Sequence, residues 1–170
     1  EYINEGRKPS VRFLVPYKEL EITDLIHGKL SIDTKIISDP IILKSNGVPT
    51  YNFGVVIDDH FMEITHVIRG DEHLDNTYRQ VLIYEALDWQ IPFYAHIPMI
   101  LAPDRSKLSK RHGATSVEEL KKLGFINKAV INYIALLGWS PKDNTEIMFL
   151  DQIVSKFDLS GVLDHPAVYD

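Results

Sequence analysis

The sequence predicts an α/β fold, a parallel strand–helix–strand core followed by a small helical module. Three observations carry this. Strand-like stretches, residues 61–68 and 96–101, flank a segment in which Leu74, Tyr78, Val81, Leu82 and Leu87 recur at helical spacing. Strand, helix and strand in that order make a parallel crossover, which leaves a ligand crevice at the C-terminal ends of the strands. Beyond about residue 113 the periodicity is helical throughout.

The elements follow in order. Residues 11–15, apolar but for Arg12, stop at Pro16 and read as a short strand. Residues 22–37 alternate only loosely. Residues 41–44, the turn Ser45-Asn46-Gly47-Val48 and residues 50–57 predict a hairpin, because Asn-Gly supplies the positive φ angles of a tight turn. Residues 51–57 are nearly continuously apolar, as in a strand buried on both faces. Asp58-Asp59-His60 reads as the break before the strand 61–68, which runs out at Arg69-Gly70. The spacing then predicts a helix over 75–88, capped by Asp75 or Asn76. Later, Ser116-Val117-Glu118-Glu119 forms a capping box and Gly124 stops its helix. Asn127 can cap a second helix with Val130, Ile134 and Leu137 on one face, ended by Gly138, and a third covers 150–156. Trp89 and Trp139 follow helix ends and are expected to pack there.

Composition narrows the function. Hydrophobic residues at 45% and charged residues at 25% describe a globular chain of 170 residues. No apolar run approaches the roughly 20 residues that cross a bilayer. There is no cysteine, which excludes disulfides, a thiol nucleophile and any cysteine-ligated metal, and fits a reducing compartment. The N-terminus has neither the basic nor the apolar part of a signal peptide and does not begin with Met, so the chain is expected to be a piece of something longer. Net charge is −6, unevenly spread. Arg105, Lys107, Lys110 and Arg111 fall within seven residues; setting them aside leaves 14 basic residues against 24 acidic, a net of −10. One cationic loop on an acidic body suits a local polyanion such as a triphosphate, and no long nucleic-acid footprint is visible.

Particular residues carry chemistry. Lysines in Lys107-Leu108-Ser109-Lys110-Arg111 can reach phosphate oxygens and stabilise a leaving pyrophosphate; the pentapeptide alone reads more readily as a solvated loop, and the strand before it favours the phosphate reading. Arg69, where an apolar strand ends, can grip a carboxylate with two parallel hydrogen bonds, or pair internally with Asp58, Asp71 or Glu72. Tyr51 is a core residue whose hydroxyl needs a partner. His60, His66, His73 and His96 fall at no metal-ligand spacing, and no metal site is expected. Walker-type, Gly-x-Ser-x-Gly and Gly-x-Gly-x-x-Gly signatures are missing.

Together, Asn46-Gly47-Val48-Pro49-Thr50-Tyr51-Asn52-Phe53, Val55-Val56-Ile57-Asp58-Asp59-His60, Ile64-Thr65-His66-Val67-Ile68-Arg69-Gly70-Asp71-Glu72-His73 and Lys107-Leu108-Ser109-Lys110-Arg111-His112-Gly113 closely resemble bacterial glutamyl-tRNA synthetases. The last segment resembles the Lys-Met-Ser-Lys-Ser motif of class I aminoacyl-tRNA synthetases. Residues 129–140, ending Leu137-Gly138-Trp139-Ser140, and His165-Pro166-Ala167-Val168-Tyr169-Asp170 extend the likeness over nearly the whole chain. The class I His-Ile-Gly-His motif is absent.

The resemblance implies the second half of a Rossmann-type parallel-sheet catalytic domain over 41–113. Residues 1–40 would end an α+β connective insertion that handles the tRNA acceptor end, and 114–170 would begin a helical stem-contact module. It implies ATP-dependent activation of L-glutamate and transfer to tRNA(Glu) by a longer parent, cytoplasmic and monomeric, with this stretch alone inactive. Arg69 would bind the glutamate side-chain carboxylate and Tyr51 would line that pocket. Glu72 and His73 would lie near the adenosine. Lys110 would be the catalytic lysine at the ATP phosphates, supported by Lys107 and Arg111. Mg2+ is expected with ATP; the zinc of some bacterial members is not expected, for want of cysteine. Val55 stands where some relatives have a polar amide. A glutamyl-queuosine synthetase, a glutaminyl-tRNA synthetase and a non-catalytic RNA-binding module are the alternatives. The Ser140–Asp170 extension argues against the first and the glutamyl pattern at 67–73 against the second. The acidic body argues against the third.

Overall fold

The computed structural model describes residues 5, 6, 8–109 and 116–169. They form two compact units, Glu1–Ile68 with His73–Ala95, and Arg69–Glu72 with His96–Asp170.

The first unit opens with two-residue β1 (Val11–Arg12), antiparallel to β4 (Ile41–Leu43). The strand expected over 11–15 is therefore cut short. Between them β2 (Glu19–Asp24) and β3 (Gly28–Asp33) form a regular antiparallel hairpin, in a stretch whose sequence showed only loose alternation. Leu20, Ile22 and Asp24 face inward on β2. The buried Asp24 carboxylate accepts the N–H groups of Ile26 and His27 at 2.9 and 3.0 Å, and Gly28 takes φ +75, so the turn is closed from inside. The four-stranded sheet runs β3-β2-β6-β5, where β5 is His66–Gly70 and β6 is Phe93–Ile97. β2 meets β6 in parallel at Asp24 and Tyr94.

The predicted Asn46-Gly47 turn forms: Gly47 has φ +82, and the Gly47 and Lys44 N–H groups donate to the carbonyls of Lys44 and Val48. The hairpin ends there, in a single bridge between Leu43 and Pro49. Residues 51–57 are not a strand but the start of α1 (Tyr51–Phe61). An unbroken apolar run fits either period. Burial decides: Val56 is sealed beneath Ile83 and Tyr84 while Tyr51 is exposed, the one-sided pattern of a helix. Asp58, Asp59 and His60 accordingly lie inside α1 rather than in a break. Glu63, in left-handed conformation at φ 55, follows the helix end, so the strand expected over 61–68 starts only at His66.

Helix α2 (Leu74–Ala86) matches its prediction closely, but its cap is His73, with Asp75 and Asn76 already inside the first turn. Tyr78, Val81 and Leu82 join Val15, Leu20, Ile22, Ile37 and Tyr94 in the main core. The strand expected over 96–101 begins earlier, at Phe93, and is broken at Pro98, which has no N–H for a ladder.

In the second unit β7 (Ile100–Leu101) pairs in parallel with β8 (Ala167–Val168). The capping box starts α3 (Val117–Lys122): Ser116 Oγ accepts the Glu119 N–H and Glu119 bonds back to the Ser116 N–H. Gly124 follows at φ +85. Helix α4 (Asn127–Leu136) is capped by Ile126 without a side-chain bond, so Asn127 is its first residue and not its cap. Helix α5 (Leu150–Lys156) lies where predicted. Trp139, Met148 and Ile153 form the core here, and Trp139 Nε1 donates to the Asp158 carbonyl at 3.1 Å. Among the described residues no helix is long and apolar enough to cross a membrane.

Candidate active site

Each unit holds its own group of the residues singled out by sequence. In the first, Thr50 is extended and α1 begins directly after it, which sets Tyr51 on the first turn, 57% exposed. Its ring centroid is 6.5 Å from that of His73, the residue that opens α2. Tyr51 is therefore a surface residue, not the core residue first expected. A chain of carboxamides runs from the histidine into the protein. Asn76 Nδ2 lies 3.2 Å from His73 Nδ1. Asn76 Oδ1 accepts from Asn52 Nδ2 at 3.4 Å, and Asn52 Oδ1 accepts from Gln80 Nε2 at 3.0 Å. Gln80 is 1% exposed. Asn52 and Gln80 were not singled out by sequence, and Asn76 only as a candidate helix cap. A polar stripe at His73, Asn76 and Gln80, on a helix otherwise built for burial, is the signal that would have found them.

In the second unit Arg69 stands at the end of β5, and its Nε donates to Nε2 of the fully buried His96 at 3.3 Å. Because Nε2 accepts, the His96 proton sits on Nδ1. The Glu72 carboxylate folds back over Gly70, in the space that a Cβ at position 70 would occupy. Asp71 Oδ1 is buried without a partner. Lys107 is exposed and bridges to Leu101, beyond a tight turn where Asp104 accepts the Ser106 N–H and Arg105 takes φ 64. Lys110 and Arg111 lie outside the described residues.

A separate cleft of about 390 Å³ in the first unit is lined by Asp59, His60, Glu63, Thr65, Tyr84 and Phe93, among others. His60 stacks flat on Trp89 at 3.7 Å. Burial, with the Asp59 charge second, pushes the Tyr84 hydroxyl up to about 12. Among the described residues no three His, Asp or Glu side chains are grouped to hold a metal ion.

All 170 residues match the pattern of one family, tRNA synthetases class I (E and Q), catalytic domain. The chain belongs to that family. This synthetase chain is similar to the glutamate–tRNA ligase of Carboxydothermus hydrogenoformans, 54% identical over 171 residues, covering 100% of the chain and 36% of the relative. It is 54% identical over 167 residues to the glutamate–tRNA ligase of Moorella thermoacetica, covering 98% and 34%. The chain thus spans about a third of the length of the curated relatives it matches. The crystal structure of the glutamate–tRNA synthetase from Elizabethkingia anophelis superposes with a TM-score of 0.91 at 37% identity, over 99% of this chain and 38% of that one. A glutamate–tRNA ligase from Elizabethkingia meningosepticum, in complex with its amino acid, gives the same score and identity. The glutamyl resemblance of the motifs and the mixed α/β catalytic fold are both borne out.

Proposed function

We propose that the synthetase segment serves ATP-dependent activation of L-glutamate and its transfer to tRNA(Glu). The setting of Arg69 carries the reading: a guanidinium at a strand end, held through Nε by a buried histidine, is pre-oriented for a planar carboxylate. In this proposal Arg69 takes the glutamate side-chain carboxylate and Tyr51 lines the pocket. Glu72 and His73 lie along the adenosine. Lys107, Lys110 and Arg111 meet the phosphates.

The α-carboxylate of glutamate attacks the α-phosphorus of ATP, pyrophosphate leaves, and the terminal ribose hydroxyl of the tRNA then displaces AMP. Charge grows on the departing pyrophosphate, which is what a fixed lysine lowers most. Mg2+ enters as the counter-ion of ATP; the described residues offer it no ligand cluster, and no step is assigned to it. We assign residues 1–40 to the end of an acceptor-end insertion, 41–113 to the second half of the catalytic domain and 114–170 to the start of a stem-contact module. The enzyme is read as a cytoplasmic monomer.

Pyrophosphate exchange by a full-length ligase carrying this chain tests the reading. Exchange is expected with glutamate and not glutamine, and charging of tRNA(Glu) should follow. Adenylate formation without charging would indicate the queuosine-modifying reaction, and RNA binding without exchange a non-catalytic module.

A further inference from the structure

The carboxamide chain behind His73 has a direction. Each amide group uses its oxygen on one side and its nitrogen on the other: Gln80 donates to Asn52, Asn52 to Asn76 and Asn76 to His73. A carboxamide NH2 can only donate, so His73 Nδ1 must accept, and the ring proton then belongs on Nε2. The chain begins in the interior, at Gln80, which is almost fully buried on α2. It crosses to Asn52 on α1 and returns to Asn76 in the first turn of α2, so the imidazole is held against the two helices that carry it. Tyr51, next to Asn52, stands beside the same ring.

We infer that Asn76, Asn52 and Gln80 are positioning residues for His73, fixing it as the Nε2–H tautomer so that its outer edge offers a donor to an acceptor atom of the bound nucleoside. The nucleoside part rests on the proposed function; the tautomer part does not. Three amides with no charge can do this without attracting the phosphates elsewhere in the site. A histidine held with the opposite tautomer would present a lone pair to the same acceptor and repel it.

Asn76→Asp tests this in the full-length ligase. It replaces the NH2 that faces His73 by an oxygen that only accepts, so Nδ1 must become protonated to keep the bond. The acidic side chain suits the first turn of a helix. Selective 15N-histidine labelling, with His73→Gln identifying the resonance, reads the protonation of each ring nitrogen. We expect a bare Nδ1 in the parent and a protonated one in Asn76→Asp. The KM for ATP should rise ~2- to 10-fold, the scale of one hydrogen bond, with the KM for glutamate unchanged. Asn76→Ala, which cannot bond to the ring, should give a mixture of tautomers and a similar rise. A protonated Nδ1 in the parent, or no change of the ring signals in either variant, overturns the inference. So does an unchanged KM for ATP in both variants when His73→Ala raises it. If the ring signals behave as expected but His73→Ala leaves ATP use untouched, the positioning chain stands and the placing of His73 at the nucleoside fails.

Discussion

Arg69 Nε and His96 Nε2 lie 3.3 Å apart, and the histidine is sealed from solvent. A buried neutral ring thus fixes one edge of a guanidinium without neutralising its charge. Unlike a carboxylate at Nε, the ring brings no negative charge of its own to that edge.

Arg69→Lys in a full-length ligase should lower kcat/KM for glutamate by about 10- to 150-fold, from ~1.5–3 kcal/mol for a lost charged hydrogen bond. Lysine keeps the charge but has neither the fork nor the Nε that meets His96. Steady-state kinetics at varied glutamate checks it, and unchanged constants would make Arg69 a structural residue.

Lys110→Ala should slow adenylate formation by roughly 10²- to 10³-fold, the scale for one preorganised donor at developing charge. Apparent ATP affinity should move far less. Pyrophosphate exchange measures both, and full activity would return the basic segment to a solvated loop.

Two glycine substitutions should diverge. A Cβ at Gly161 would lie 2.6 Å from the Ser140 carbonyl oxygen and from Trp139 Nε1, where backbone cannot easily give way. Gly161→Ala should therefore destabilise the second unit by about 1–3 kcal/mol, as overpacking does. At Gly54, inside α1, the nearest atom is Pro49 Cγ at 4.0 Å, so Gly54→Ala should be neutral or stabilise by up to ~1 kcal/mol. Urea unfolding midpoints of both variants test the contrast.

Tyr84 predicts an alkaline effect. Its folded value is raised from 10.0 to about 12 by burial and Asp59. The folded state therefore keeps a proton that the unfolded chain gives up. That stabilisation is full below pH 10 and is lost as pH rises toward 12, by about 2–3 kcal/mol over the interval. Tyr84→Phe should flatten this part of the stability–pH curve, measured by urea unfolding at pH 9 to 11.

What the sequence disclosed depended on how local the cause was. Helix α2 was legible because Tyr78, Val81 and Leu82 repeat at its own period, and α3 because the Ser116–Glu119 box is a local bond pair. Helix α1 was not: its apolar run has no period until Ile83 and Tyr84 bury one side of it. The β2–β3 hairpin was missed for a related reason, since the buried Asp24 looks polar in the sequence and works inward on the turn. Arg69 could be named because a charge at the end of an apolar strand stands out. Its His96 partner could not, and neither could Asn52, which meets Gln80 only after α1 and α2 have packed.

The parallel join of β2 to β6 also sets an order of events during synthesis. Asp24 and Tyr94 are neighbours in the sheet, yet about 70 residues of chain lie between them. The β2–β3 hairpin can close as soon as it leaves the ribosome, and α1 can meet α2 a little later. The free edge of β2 must then wait, unpaired, until Tyr94 has emerged. During that interval a nascent chain offers an open strand to any neighbour on the same message, and a pause in translation upstream of β6 lengthens the exposure.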